Sequence, residues 1–188
     1  MNRQALAALA FGAGAAFATP GFATPGFAQK PVTVGGAPMF ANKTIVENAV
    51  NSKDHTTLVT AVKAAGLIDT LSSPGPFTVF APTDRAFANL PDGTVQLLVQ
   101  PAQKAKLTSV LTYHVVPGRL TASDLTAAVR KGGGQAELKT VQGETLTVMR
   151  AGKGLTVTDA KGGKSRVTIA DVRQSNGVIH VVDSVLMP

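Results

Sequence analysis

The chain of 188 residues has no cysteine and no tryptophan, a single tyrosine and only three histidines. Without cysteine there can be no disulfide framework, no thiolate metal site, no Cys nucleophile and no lipid anchor on Cys. No run of five or six basic residues occurs, although 18 Lys and Arg outnumber 11 Asp and Glu. The aromatic-plus-basic platform of a nucleic-acid binder is therefore missing, and nucleic acid is not expected as a partner. The dispersed positive charge reads as solubility, with weak attraction to acidic polysaccharide or membrane surfaces.

Catalytic and metal patterns are also scarce. His55, His114 and His180 are nowhere three or four residues apart, so no helical metal pair exists. There is no Gly-x-Ser-x-Gly elbow and no close acidic pair for glycosidase chemistry. Gly162 to Ser165, "GGKS", resembles the tail of a phosphate-binding loop. The glycine that the motif requires earlier is Thr158, however, and a strand pattern follows instead of a helix, so a hairpin turn is expected. His180 is flanked by apolar residues and reads as a hydrogen-bonded structural histidine. No catalytic residue, cofactor or metal is expected.

The N-terminus carries a location signal. Arg3 precedes a 14-residue apolar stretch, Ala5 to Ala18, in the manner of a secretory leader. That stretch is shorter than the ~20 residues needed to span a bilayer. Small-x-Ala sites end at Ala18, Ala23 and Ala28, and cleavage is expected after Ala28. Residues 1–28 hold Arg3 and no acid, so their removal lowers the net charge from +7 to +6. The expected product is exported, periplasmic or extracellular, with no stable membrane span after cleavage. Residues 29–41 carry Pro and Gly and read as a linker or N-terminal arm; the domain is expected over 42–188. An apolar content of 44% suits one such domain with a substantial core.

Helix signals crowd the first half. Thr44-x-x-Glu47 and Thr121-x-x-Asp124 are capping-box patterns. Asp54 is placed to cap the helix that follows it, and Gly66 to end that helix. "PFTVFAP" reads as a short buried strand, with Phe77, Val79 and Ala81 facing one way and Thr78 and Phe80 the other. Thr83 can cap a short helix, with Asp84 favourable to its dipole. Pro101 suits the first position of a helix reaching the Tyr113-His114 pair. In the second half, short alternating runs are divided by glycine-containing turns. Asn176-Gly177 is the strongest of these, since both residues tolerate positive φ. Helices first and strands later predict an α+β fold with a mostly antiparallel sheet.

Three blocks in order resemble the fasciclin (FAS1) family: "FTVFAPTDRAF" (Phe77 to Phe87), "YHVVPGRL" (Tyr113 to Leu120) and "NGVIHVVDSVLMP" (Asn176 to Pro188). The resemblance implies a β-wedge of mostly antiparallel strands with several helices packed on one side. It implies an extracellular or envelope module for adhesion and for binding a protein or acidic polysaccharide, with no typical enzymatic activity or cofactor. In animal members the Tyr-His segment is linked to integrin binding, which carries over to Tyr113 and His114 as an interaction surface. Within the matching motifs, Phe77, Phe80, Pro82, Thr83, Asp84, Phe87, Asn176, Gly177, His180 and Asp183 are expected to be structural. One residue of the Tyr113-His114 pair should face the core with its polar tip satisfied by backbone. Two rival readings are a hydrolase using His114 or His180 with a nearby Asp, and a carrier of a small apolar ligand held in the wedge.

Overall fold

The computed structural model describes residues 31–188. The expected leader, 1–28, lies outside the described residues. The segment expected to be a linker is instead part of the domain. Strands β1 (Val32–Val34) and β2 (Ala37–Met39) pair as an antiparallel hairpin. Val34 and Met39 are buried in the core, so the domain begins before Asn42. Three-residue strands carry too little periodicity to be distinguished from an extended arm, and burial against the rest of the domain is what holds them.

Helices α1 (Ile45–Ala49), α2 (Thr56–Ala65) and α3 (Ile68–Ser72) follow. The Thr44–Glu47 capping box forms in full. Gly66 closes α2 in the left-handed region, at φ 73°. Strand β3 (Phe77–Pro82) leads into α4 (Asp84–Ala88), where the Thr83 hydroxyl accepts the Ala86 N–H. Helix α5 (Thr94–Leu98) starts directly after Gly93, which takes φ 81°. Pro101–Gln103 form a 3-10 turn, and the regular helix α6 (Lys104–Tyr113) starts only after it. Strand β4 (Val115–Pro117) and helix α7 (Ala122–Lys131) complete this half; the Thr121–Asp124 capping box opens α7 as expected.

The strands β5 (Gln135–Lys139), β6 (Thr145–Ala151), β7 (Gly154–Thr158), β8 (Lys164–Gln174) and β9 (Gly177–Val182) build the rest of a seven-stranded sheet. Its order is β4-β3-β9-β8-β7-β6-β5, and only the β3–β9 pair is parallel. The Val141 N–H donates to the Val115 carbonyl at 2.8 Å, drawing the two edges together into a nearly closed wedge. The long β8 bends at irregularities between Val167 and Val172, where Asp171 takes φ 58°. Such bulges let one strand serve both halves of a curved sheet.

Two apolar clusters lie on opposite faces of the β3–β9 pair. Val79, Ala81, Ile179 and Val181 pack towards α1, α2 and α6. Phe80 and Val182 pack towards α7 and the β5–β7 strands. Burial on both faces explains why β9 reads as an unbroken apolar run. That strand stops at Val182, short of the longer one expected: Val185 and Leu186 pack on the core from an irregular tail. The β8–β9 turn is Ser175-Asn176, one residue earlier than the expected Asn176-Gly177, and Gly177 is the first residue of β9 and has no positive φ. Gly177 is required by close approach instead, because a Cβ there would lie 2.1 Å from the Phe77 carbonyl oxygen.

Candidate functional site

The Tyr113-His114 pair sits at the end of α6, whose stripe of Leu107, Val110 and Leu111 faces the core. Both side chains are buried, with 0% of Tyr113 and 2% of His114 exposed. The pair is therefore not an interaction surface. The helix stops there and the chain turns directly into β4, so both rings are carried inward and not one alone. The Tyr113 hydroxyl accepts the Ala160 N–H at 2.9 Å and donates to the Thr145 carbonyl at 3.2 Å. Burial raises its pKa above the ordinary phenol value. His114 Nδ1 donates to the Val110 carbonyl at 2.8 Å, and that fixes the tautomer. Nε2 is then free to accept the Leu186 N–H at 3.0 Å. Burial brings the His114 pKa down to about 4, outweighing the pull of the Val110 carbonyl, so the ring is neutral at pH 7.

The other two histidines are also interior. His180 Nε2 donates to the Leu120 carbonyl at 2.8 Å, and its Nδ1 accepts the Asp171 N–H at 3.4 Å. Its ring stacks on Phe80 with centroids 5.6 Å apart. Burial lowers its pKa. His55 meets Ser52 Oγ through Nδ1 at 2.8 Å. Its Nε2 is pulled by the Ala81 carbonyl but makes no hydrogen bond of good geometry. Burial lowers this pKa as well. His55 stands beside the Ser52 hydroxyl, but both side chains are buried away from solvent. Among the described residues, no three metal-ligating side chains converge.

The two outer motifs meet where the parallel strands β3 and β9 end together, with Pro82 opposite Val182. A polar hollow of about 480 Å³ lies there, lined by Thr83, Asp84 and Asp183 together with Asp54, Arg85, Asn89 and Thr168. Both motif carboxylates are engaged by backbone. Asp183 accepts the Arg166 N–H at 2.8 Å. Asp84 accepts the Thr57 N–H at 2.8 Å and the Thr56 hydroxyl at 2.7 Å. Burial acts to raise the Asp84 pKa, but these hydrogen bonds outweigh it and the net shift is downward. The cap of α2 is thus Asp84, 27 residues away, and not Asp54, which stands one residue before the actual boundary residue His55. A carboxylate in "APTD" was the only sequence signal for this role.

Asn176 joins three segments. Its side-chain oxygen accepts the Ile45 N–H at 3.0 Å, and its amide donates to the Leu71 and Ser73 carbonyls at 2.7 and 3.0 Å. Phe87 is buried and Phe77 partly buried in the cluster on the helical side, Phe80 is buried in the opposite cluster, and Pro82 ends β3. These motif residues therefore contribute to the frame of the fold.

The comparisons agree with this frame. The fasciclin domain model matches residues 53–188. Protein sll1483 of Synechocystis sp. is 48% identical over 161 residues, covering 85% of this chain and 82% of that one. The cell surface glycolipoprotein MPB83 of Mycobacterium bovis is 32% identical, covering 86% and 68%. Among solved structures, the FAS1 domain pair of the insect cell adhesion molecule fasciclin I superposes with a TM-score of 0.68 at 21% identity, over 78% of this chain and 51% of that one. Half of a domain pair corresponds to the single wedge seen here, and the chain belongs to the fasciclin domain family.

Proposed function

We propose that the chain is an exported, non-catalytic interaction module of the cell envelope whose partner is an acidic polysaccharide. Similarity to a cell surface glycolipoprotein and to a FAS1 family structure supports the envelope role. The observation that carries the choice of partner is the charge on the outer strands. Between Thr145 and Arg173 the basic residues are Arg150, Lys153, Lys161, Lys164, Arg166 and Arg173, and all are exposed. The acids of this stretch are Asp159 and Asp171, and both are turned to backbone. Asp159 accepts the N–H groups of Lys161, Gly163 and Met187, and Asp171 accepts that of Ala122. A stretch whose exposed cations outnumber its acids, with those acids engaged internally, attracts polyanions.

The test is surface plasmon resonance of the protein over immobilised alginate at rising salt. Saturable binding that weakens with salt and is lost in the Lys164→Glu/Arg166→Glu double variant is expected. Equal binding by that variant would refute the polyanion partner. In the native host, deletion of the domain should reduce attachment or biofilm. Unchanged attachment would refute the adhesive role.

A further inference from the structure

The helical side of the wedge is incompletely filled. A cavity of about 50 Å³ remains between α1, α2 and α3 and the β3–β9 strands. Its walls are mostly aliphatic, with Ile45, Leu58, Val79 and Ile179 among them, and the neutral rings of His55 and His114 also line it. A water site occupies roughly 10–15 Å³ on the same scale, so there is room for about four methylene-sized groups. An apolar cavity of this kind stays dry and accepts apolar guests. It is not sealed: Ala49 and Val59 are only half-buried at its rim, between α1 and α2. At the same rim stands Lys63, exposed on α2 and the only charged residue among the described residues that line the space.

A dry aliphatic space with one ammonium at its mouth, and no carboxylate in its wall, matches an amphiphile of opposite charge. We propose that this crevice binds a single-chain aliphatic carboxylate, with the chain in the cavity and the head group at Lys63. The chain would displace no ordered polar contact, and the head group would remain in water beside the lysine. This site lies on the helical side and is independent of the polysaccharide reading, which concerns the outer strands.

The test is isothermal titration of the whole protein with butanoate, hexanoate and octanoate, each below its micellar range, and with 1-octanol. Binding of octanoate should be saturable at one per chain. Affinity should rise about fourfold for each methylene that enters the cavity, from butanoate to hexanoate, and level off by octanoate, once about four carbons fill the space. Lys63→Gln lies on the surface and should weaken octanoate about tenfold while leaving 1-octanol unchanged. Ala49→Leu, which fills the rim, should abolish binding of both, with a thermal melt confirming that the variant is folded. The proposal is overturned if octanoate shows no saturable one-to-one binding, if 1-octanol binds the unsubstituted protein as tightly as octanoate, or if Lys63→Gln binds octanoate unchanged. Because alginate binding is read through Lys164 and Arg166, either proposal can fail while the other stands.

Discussion

Leu186 donates its backbone N–H to Nε2 of His114 at 3.0 Å, across 72 residues of sequence. Through its other nitrogen the same imidazole holds the Val110 carbonyl in the last turn of α6. One ring therefore ties the irregular C-terminal segment to a helix in the first half of the fold. Replacing His114 with Ala removes a buried ring and leaves the Leu186 N–H without a partner. A loss of about 2–4 kcal/mol is expected in denaturant unfolding. Hydrogen exchange at the Leu186 amide should accelerate in the variant; unchanged exchange would mean that the tail is held by packing alone.

The same ring gives stability a direction with pH. A histidine whose folded pKa is depressed stays neutral in the fold and takes up a proton on unfolding. Its contribution is complete above the ordinary value of about 6.5, and it declines as pH falls towards the folded value of about 4. The span corresponds to about 3 kcal/mol for His114. His55 and His180 are shifted in the same direction and add to it. Denaturant midpoints should be level from pH 8 to 7 and fall steadily from 6.5 to 4. A flat profile over that interval would contradict the burial of all three rings.

Tyr113→Phe keeps the ring in place and deletes only the hydroxyl. The Ala160 N–H and the Thr145 carbonyl then both lose a partner in a buried setting. The expected cost is about 1–2 kcal/mol, more than an exposed hydroxyl would give. Calorimetry should show a lower melting temperature with far-UV circular dichroism unchanged.

Asp84→Ala should destabilise the protein by about 1–2 kcal/mol through α2, a helix to which the residue does not belong. Asp84→Asn retains a carbonyl oxygen for the Thr57 N–H and should lose less. Amide exchange at Thr56 and Thr57 reads the cap directly. If Asp54→Ala proves the costlier change, the cap has been misassigned.

Gly177→Ala, a change that in an uncrowded strand would stabilise by roughly 0.5–1 kcal/mol, should here destabilise, because the new methyl would meet the Phe77 carbonyl at 2.1 Å and push the β3–β9 pair apart. Asn176→Ala should cost about 2–3 kcal/mol, since it releases Ile45, Leu71 and Ser73 together. Thermal melts of the two single variants and their double test whether the effects are shared, as expected for neighbours at one turn.

Local signals were legible wherever the physics is local. The two capping boxes, the Gly66 stop, the Thr83 cap and the alternation of β3 depend on residues within a few positions of one another, and they appear where the pattern places them. The β1–β2 hairpin was hidden because its strands are too short to show a period, and Val34 and Met39 reveal their role only against the core. The Asn-Gly signal fell one residue past the turn, which is Ser175-Asn176; Gly177 answers to a neighbouring strand, and no neighbour can be read from a dipeptide.

The sequence by itself determined the family frame: a helical first half, a stranded second half, and three motifs whose apolar and capping residues specify one fold. It determined this because caps, periods and turns are short-range properties. Tertiary structure alone decided what the polar residues of those motifs do. It turned Tyr113 and His114 inward, sent Asp84 to the end of another helix, and left an aliphatic crevice with Lys63 at its mouth. Each of these rests on atoms brought together from distant parts of the chain, and hydrogen bonds and cavities exist only once the chain has closed around them.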